Sequence, residues 1–197
     1  MHSPLHDKLV YWDHVVWFYV NTQWHNRVLD VIMPFLRNQW TWSPLYLFLL
    51  LFMTSRFGKK GWFWCVAFLI SFILSDQISA TLIKPYIHRL RPCNNPALAD
   101  IVHLLVPCGS GKSFPSSHAT NHFSLAVFSS LTLGRYARWV WPVSLLWAFS
   151  VVYAQVYVGV HYPLDVICGG ILGAVIGITT GTLFNRYIGL TPAAPTA

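Results

Sequence analysis

The chain is 197 residues long, enough for one compact unit and short for two. Hydrophobic residues make up 55% and charged residues 10%, far below the ~25% of soluble domains, so the composition suits a bilayer and disfavours a soluble enzyme. The net charge of +7 comes from 13 Lys and Arg against 6 Asp and no Glu; it suits phosphate or anionic head groups, and without a dense basic cluster it argues against nucleic acid.

Met1, His2 and Ser3 open onto an Asp- and His-bearing stretch, not a charged start with an apolar core, so no cleavable signal is expected. Over residues 5–37 the apolar positions Leu5, Leu9, Trp12 and Val16, then Val28, Val31, Ile32 and Phe35, recur at helical spacing. They are interrupted by Asp13, His14, His25, Arg27 and Asp30, which predicts interfacial amphipathic helices over a further span. Five apolar stretches follow, about Trp40–Ser55, Trp62–Ile83, Ala119–Leu133, Trp139–Val160 and Leu164–Phe184. A spanning helix takes ~20 residues, so the first and third are short; all five are read as membrane helices. The expected fold is an all-α integral membrane bundle, divided as 1–39 (interfacial helices), 40–186 (membrane domain) and 187–197 (a tail), with Thr191–Ala197 expected to be disordered.

Arg56, Lys59 and Lys60 follow the first stretch, Arg135 and Arg138 the third, and Arg186 the fifth, which assigns that side to the cytoplasm. The opposite side then carries the N-terminal helices, the long loop from Lys84 to Ser117 and the turn around His161. Gly169, Gly173, Gly177 and Gly181 recur every fourth residue and predict a close helix-packing face. Cys65 and Cys168 lie in apolar runs, whereas Cys93 and Cys108 share one polar loop and are the one pair placed for a disulfide, the alternative being two free thiols.

Three polar clusters fall at helix ends on that same side: Lys84 to Arg91-Pro92, then Pro115-Ser116-Ser117-His118, then Gln155 to His161 and Asp165. In order and spacing they resemble the signature of the type 2 phosphatidic acid phosphatase family, Lys-x6-Arg-Pro, Pro-Ser-Gly-His and Ser-Arg-x5-His-x3-Asp. The resemblance runs from about Trp40 to Phe184. It implies a membrane lipid phosphatase in which the histidine of the third motif, here His161, becomes phosphorylated. The substrates it implies include undecaprenyl diphosphate, phosphatidylglycerol phosphate, phosphatidic acid and phosphorylated lipid A. Undecaprenyl diphosphate comes first because the site is expected to face outward, at a bacterial inner membrane.

The residues support this chemistry independently. Phosphoryl transfer asks mainly for charge stabilisation, and Lys84 and Arg91 supply cations, Arg91 as a fork. Ser116 and Ser117 precede a helix whose N-terminus offers an anion seat, to which the Ser116 hydroxyl adds a donor. Asp165, four residues beyond His161, is expected on the same helical face, holding one ring nitrogen protonated while the other attacks. His118 is placed to protonate the leaving oxygen and then activate water. No Cys/His/carboxylate set with ligand spacing is visible, so no metal or cofactor is expected.

Taken singly, Lys84, Arg91, His118 and His161 could each be an interfacial polar residue and Asp165 a helix-start residue; the set is what carries the reading. Two positions depart from the pattern. Ser117 stands for Gly, harmless if its φ is ordinary. Ala154-Gln155 stands for Ser-Arg, which removes a fixed charge; the site then binds phosphate more weakly or recruits Arg89 or Lys112. That loss also keeps open a lipid-binding or lipid-moving protein whose site has lost turnover; within enzymes the alternative is a phosphotransferase that passes the phosphoryl group from His161 to a lipid acceptor. Asp76, near Gln77 and Ser79, reads as part of a polar seam supporting the site, and Asn121 and His122 as supporting partners one turn beyond His118.

Overall fold

The computed structural model describes residues 4–190. The readings at Met1, His2 and Ser3 and at Thr191–Ala197 lie outside the described residues. Helices α1 (Pro4–Phe18) and α2 (Arg27–Arg37) precede α3 (Ser43–Phe57), α4 (Lys59–Asp76), α5 (Ser117–Leu133), α6 (Val140–Tyr157) and α7 (Pro163–Tyr187), and no strand occurs among the described residues. Lys59–Tyr86, Val140–Tyr157 and Pro163–Tyr187 are long and apolar enough to cross a membrane; α4 reaches that length by continuing through wide π-type turns at Gln77–Ile83. At ~1.5 Å per residue, α3 and α5 span roughly 22 and 26 Å, the two short members of the five-helix membrane bundle.

Amphipathic logic is inverted at the surface. Leu5 (67% exposed), Trp12 (60%), Val31 (73%) and Phe35 (61%) form the apolar stripes of α1 and α2, and they face outward, as do Phe48, Leu51, Phe63, Leu69, Ile171 and Val175 on the bundle. An apolar exterior on a helical membrane protein is its lipid contact. The inward faces of α1 and α2 instead present Asp13, Trp17, Met33 and Leu36 to the α6–α7 end of the bundle.

Helix α5 is the central element, lined by buried small and polar residues. Its polar seam runs from Ser71 Oγ to Ser124 Oγ and Thr180 Oγ1 (both 2.8 Å), and from Ser75 Oγ to Asn121 Oδ1 (2.8 Å), whose Nδ2 donates to Asp76 Oδ1 at 3.1 Å. These bonds tie α4, α5 and α7 together where lipid gives no hydrophobic drive between helices. Gln77 stands outside that seam, exposed, its side chain accepting only from Thr81 Oγ1 among the described residues.

The glycine face of α7 lies on α5. A Cβ on Gly173 would fall 2.2 Å from Thr120 O, and one on Gly177 would fall 2.5 Å from Ser124 O, both backbone atoms. Only a hydrogen fits there. Gly173→Ala is therefore expected to force α5 and α7 apart and cost ~1–3 kcal/mol, read as a lower melting temperature in detergent. Gly111→Ala, where nothing lies within 4 Å, is the control. Equal melting of Gly173→Ala and the parent would refute the close approach.

Candidate active site

The chain direction brings the three motifs to one end of the bundle: the extension of α4, the start of α5 and the α6–α7 turn. Arg91 and Lys84 come from the end of α4 and its following loop, which Cys93 and Cys108 close on itself, their sulfurs joined and their Cα atoms 6.0 Å apart. Within this loop Arg91 Nε donates to Gly111 O at 3.1 Å, and Asn94 Nδ2 donates to Gly109 O at 3.0 Å.

His161 and Asp165 meet, by a different route from a shared helical face. His161 precedes α7 in an irregular turn, and Asp165 is in the first turn of that helix. Asp165 Oδ2 accepts from the Tyr162 amide at 2.8 Å, closing a capping box. The same oxygen lies 3.5 Å from His161 Nδ1 and accepts from the Ser113 hydroxyl. His161 is 2% exposed, with Nε2 at 3.3 Å from Arg91 Nη1. Burial pushes its imidazole down to about 4, with Asp165 pulling the other way and Arg91 adding to the fall.

Arg89 is a correction to the sequence reading. It is committed to carboxylates: Nη1 donates to Asp165 Oδ1 at 2.7 Å, Nη2 donates to Asp13 Oδ2, and the guanidinium lies 4.2 Å over the Tyr162 ring. Burial lowers its proton affinity, and Asp165 and Asp13 outweigh that and hold it above its ordinary value. Arg91 is the opposite case. Burial pulls it down, Asp165 offsets this only in part, and no carboxylate touches it among the described residues. The side chains of Lys84 and Lys112 likewise form no ion pair or hydrogen bond among the described residues; Lys84 lies within the electrostatic reach of Arg91, Asp165 and Asp76.

The anion seat is also redistributed. Ser116 is fully buried and caps α5, its hydroxyl accepting from the Ala119 amide at 3.4 Å, while its own N–H donates to Asp165 O at 3.0 Å. The Ser116 amide is thus committed within the protein, whereas its hydroxyl accepts and leaves its own hydrogen unassigned; at the start of α5 the Ser117 hydroxyl is buried without a partner among the described residues. No non-glycine residue has a positive φ among the described residues, so Ser117 in place of Gly carries no backbone strain. His118 acts electrostatically on His161, Arg91 and Arg37. His122 Nδ1 is 2.8 Å from His118 O, and its ring lies 6.4 Å from that of His118. Asp76 accepts from Asn121 Nδ2 and acts on Lys84 through space.

Sequence reasoning missed Asp13, Ser113 and Arg37. Asp13 is 3% exposed and accepts from the Leu164 amide at 2.7 Å besides Arg89. Arg37 Nε donates to Gln155 Oε1 at 3.4 Å. An ionisable residue on an otherwise apolar inward face was the one available signal. The structure also gathers a His/carboxylate group that spacing hides: His25, Asp30 and His103, with ligand atoms within 4.8 Å of one another. Its Asp30 Oδ1 already accepts from Tyr157 OH at 2.8 Å and sits 3.2 Å from His103 Nε2.

A lipid-facing helical bundle that concentrates cations and imidazoles at one polar end defines a class, the integral membrane phosphatases. Comparison supplies the particular family: residues 61–188 match the PAP2 superfamily, and the chain belongs to it. A lipid A 4'-phosphatase of Bacteroides thetaiotaomicron is 34% identical over 157 residues, 78% of this chain and 68% of that protein. An undecaprenyl-diphosphatase of Sulfolobus acidocaldarius is 35% identical over 153 residues, 75% of this chain and 67% of that protein. The crystal structure of Aquifex aeolicus LpxE superposes with a TM-score of 0.66 at 26% identity, covering 84% of this chain and 93% of that one. The chain is a lipid phosphatase of this superfamily.

Asp13 lies outside the matched residues yet anchors Arg89, and through it Asp165. Asp13→Asn keeps the shape and removes the charge, which is expected to cost ~1.5–3 kcal/mol and to lower both the melting temperature and kcat/KM. Parent-like values for both would refute the anchoring.

Proposed function

We propose that the chain cleaves phosphate from a membrane lipid through a phosphohistidine on His161, at the extracytoplasmic face of a bacterial inner membrane. The observation that carries this reading is the two-sided setting of His161: Nδ1 lies 3.5 Å from the Asp165 carboxylate while Nε2 faces Arg91 at 3.3 Å. Asp165 holds the proton on Nδ1 and leaves the Nε2 lone pair for phosphorus. As the Nε2–P bond forms and the P–O bond to the lipid breaks, Lys84, Arg91 and the start of α5 take the charge on the phosphoryl oxygens. His118 gives a proton to the leaving oxygen, then takes one from the water that releases inorganic phosphate and restores His161.

The outward face is supported by Arg56, Lys59, Lys60 and Arg186 in helix-terminal turns and Arg135 and Arg138 in the α5–α6 connection, all at the end away from the motifs. Undecaprenyl diphosphate is the first substrate proposed, in keeping with that face and with the likeness to an undecaprenyl-diphosphatase. A lipid A-type phosphomonoester is the second reading, favoured by the likeness to a lipid A 4'-phosphatase.

His161→Ala is expected to abolish turnover with the melting temperature preserved, and acid-stable or base-stable phosphoprotein trapping in the parent should find a base-stable, acid-labile adduct that this variant lacks. The imidazole is neutral above its value of about 4 and loses its nucleophilic form as pH falls through it. After correction for titration of the substrate phosphate, kcat/KM should therefore not fall between pH 7 and pH 5.5; a loss of rate on the acid side centred near ~6.5, the ordinary histidine value, would contradict the setting described. Phosphate release from undecaprenyl diphosphate, lipid A, phosphatidylglycerol phosphate and phosphatidic acid in detergent with chelator ranks the head groups. Because the Asp165 oxygens are all engaged by Arg89, Ser113, Tyr162 and His161, chelation is expected to leave the rate unchanged. Loss in chelator restored by one divalent ion would overturn that.

A further inference from the structure

Position 155 is where the resemblance calls for an arginine, and the chain has Gln155 there. The side chain is fully buried in the last turn of α6. Its Oε1 accepts from Arg37 Nε at 3.4 Å, and its Nε2 is buried without a partner. Arg37 ends α2, which is held against α6 by Asn26, Asp30 and Tyr157 and by Leu36 in the core they share.

We propose that Arg37 supplies, from the N-terminal segment, the phosphate-binding cation that position 155 has lost. Its guanidinium touches the residue from which the missing one would project. The two terminal nitrogens have no protein partner, and Arg37 forms no ion pair, among the described residues. They are the fork that pairs with two phosphate oxygens. Arg37 also acts on Arg91 and His118, so it belongs to the same field as the motif residues. Burial and Arg91 both hold its proton affinity below the ordinary value. Two half-buried guanidiniums that repel one another and lack carboxylates in contact are stabilised by an anion between them. Arg37 lies outside the residues 61–188 that match the superfamily, so the site is completed by a segment that the family pattern does not contain.

The inference deepens the phosphatase reading and rests on it, and its test separates the two. Arg37→Ala, Arg37→Gln, Gln155→Arg and the double variant Arg37→Ala/Gln155→Arg are compared with the parent in detergent. The readouts are melting temperature, kcat and KM on the lipid panel, and the protection against thermal unfolding given by vanadate. Arg37→Gln keeps an amide for Gln155 and removes only the charge, so it guards against misfolding of the Ala variant. Both single Arg37 variants should lose ~10- to 100-fold in kcat/KM, as for a charged hydrogen bond, and most of the vanadate protection, with melting unchanged in its absence. Gln155→Arg alone should gain nothing, since it crowds a second guanidinium against Arg37, whereas the double variant should recover most of the loss. Parent-like kcat/KM and vanadate protection in Arg37→Gln would overturn the inference and leave the phosphatase reading intact, as would a folded double variant no better than Arg37→Ala. A parent that turns over no lipid yet loses vanadate protection on Arg37→Gln would uphold the cation and sink the substrate reading.

Discussion

One buried carboxylate organises the polar end of this protein. Asp165 is fully inaccessible, and its oxygens accept from Arg89, Ser113 and the Tyr162 amide while facing His161, as its backbone carbonyl takes the Ser116 N–H. Residues of all three motifs converge on it, and Arg89 extends the network to Asp13 on α1. A carboxylate withdrawn from water is tolerated only when its lone pairs are filled, and removing one partner of such a pair costs ~3–5 kcal/mol. The geometry of His161 is therefore fixed by the same bonds that make the fold possible at this point, and the orientation of the imidazole needs no separate device.

Around this satisfied centre stands a set of cations that are not satisfied. Arg89 has two carboxylates; Arg91, Lys84 and Arg37 have none in contact among the described residues. The division explains how a site can be both rigid and strongly attractive to phosphate. Charges that hold the scaffold are neutralised within the protein, and in the mechanism proposed the charges left without carboxylates wait for substrate, unmoved as negative charge develops on the phosphoryl oxygens. Burial of the second group raises the worth of each contact, because a desolvated guanidinium gains more from an oxyanion than a hydrated one.

The bundle serves this end by geometry alone. Small residues on α7 and a polar seam from α4 through α5 let the helices approach closely without help from water, and the apolar exteriors of α1 to α4, α6 and α7 meet lipid. With a phosphorylated lipid lying in the same bilayer, its head group arrives at the polar end of the bundle already confined to the right depth, which reduces the entropy of encounter.

Local composition and spacing determined a good deal here. The membrane stretches were legible because hydropathy is a property of contiguous residues, the glycine face because helical packing repeats every fourth residue, and the motif histidines and cations because phosphate chemistry demands those residue types in sequence. The partner of each charge was not legible. Whether Arg89 or Arg91 is free for phosphate depends on Asp13, which lies 76 residues from Arg89, and the cation beside Gln155 comes from 118 residues away. Ser116 reads as a donor to an anion, yet its amide is taken by Asp165 and its hydroxyl oxygen by the cap of α5; His161 and Asp165 looked like one helical face and are a turn closed by a capping box. Spacing along the chain can say which residues are able to bind an anion. Only the tertiary structure decides which of them are already neutralised, because a buried charge is neutralised by whatever partner the fold brings near it, and the nearest partner in space is seldom the nearest in sequence.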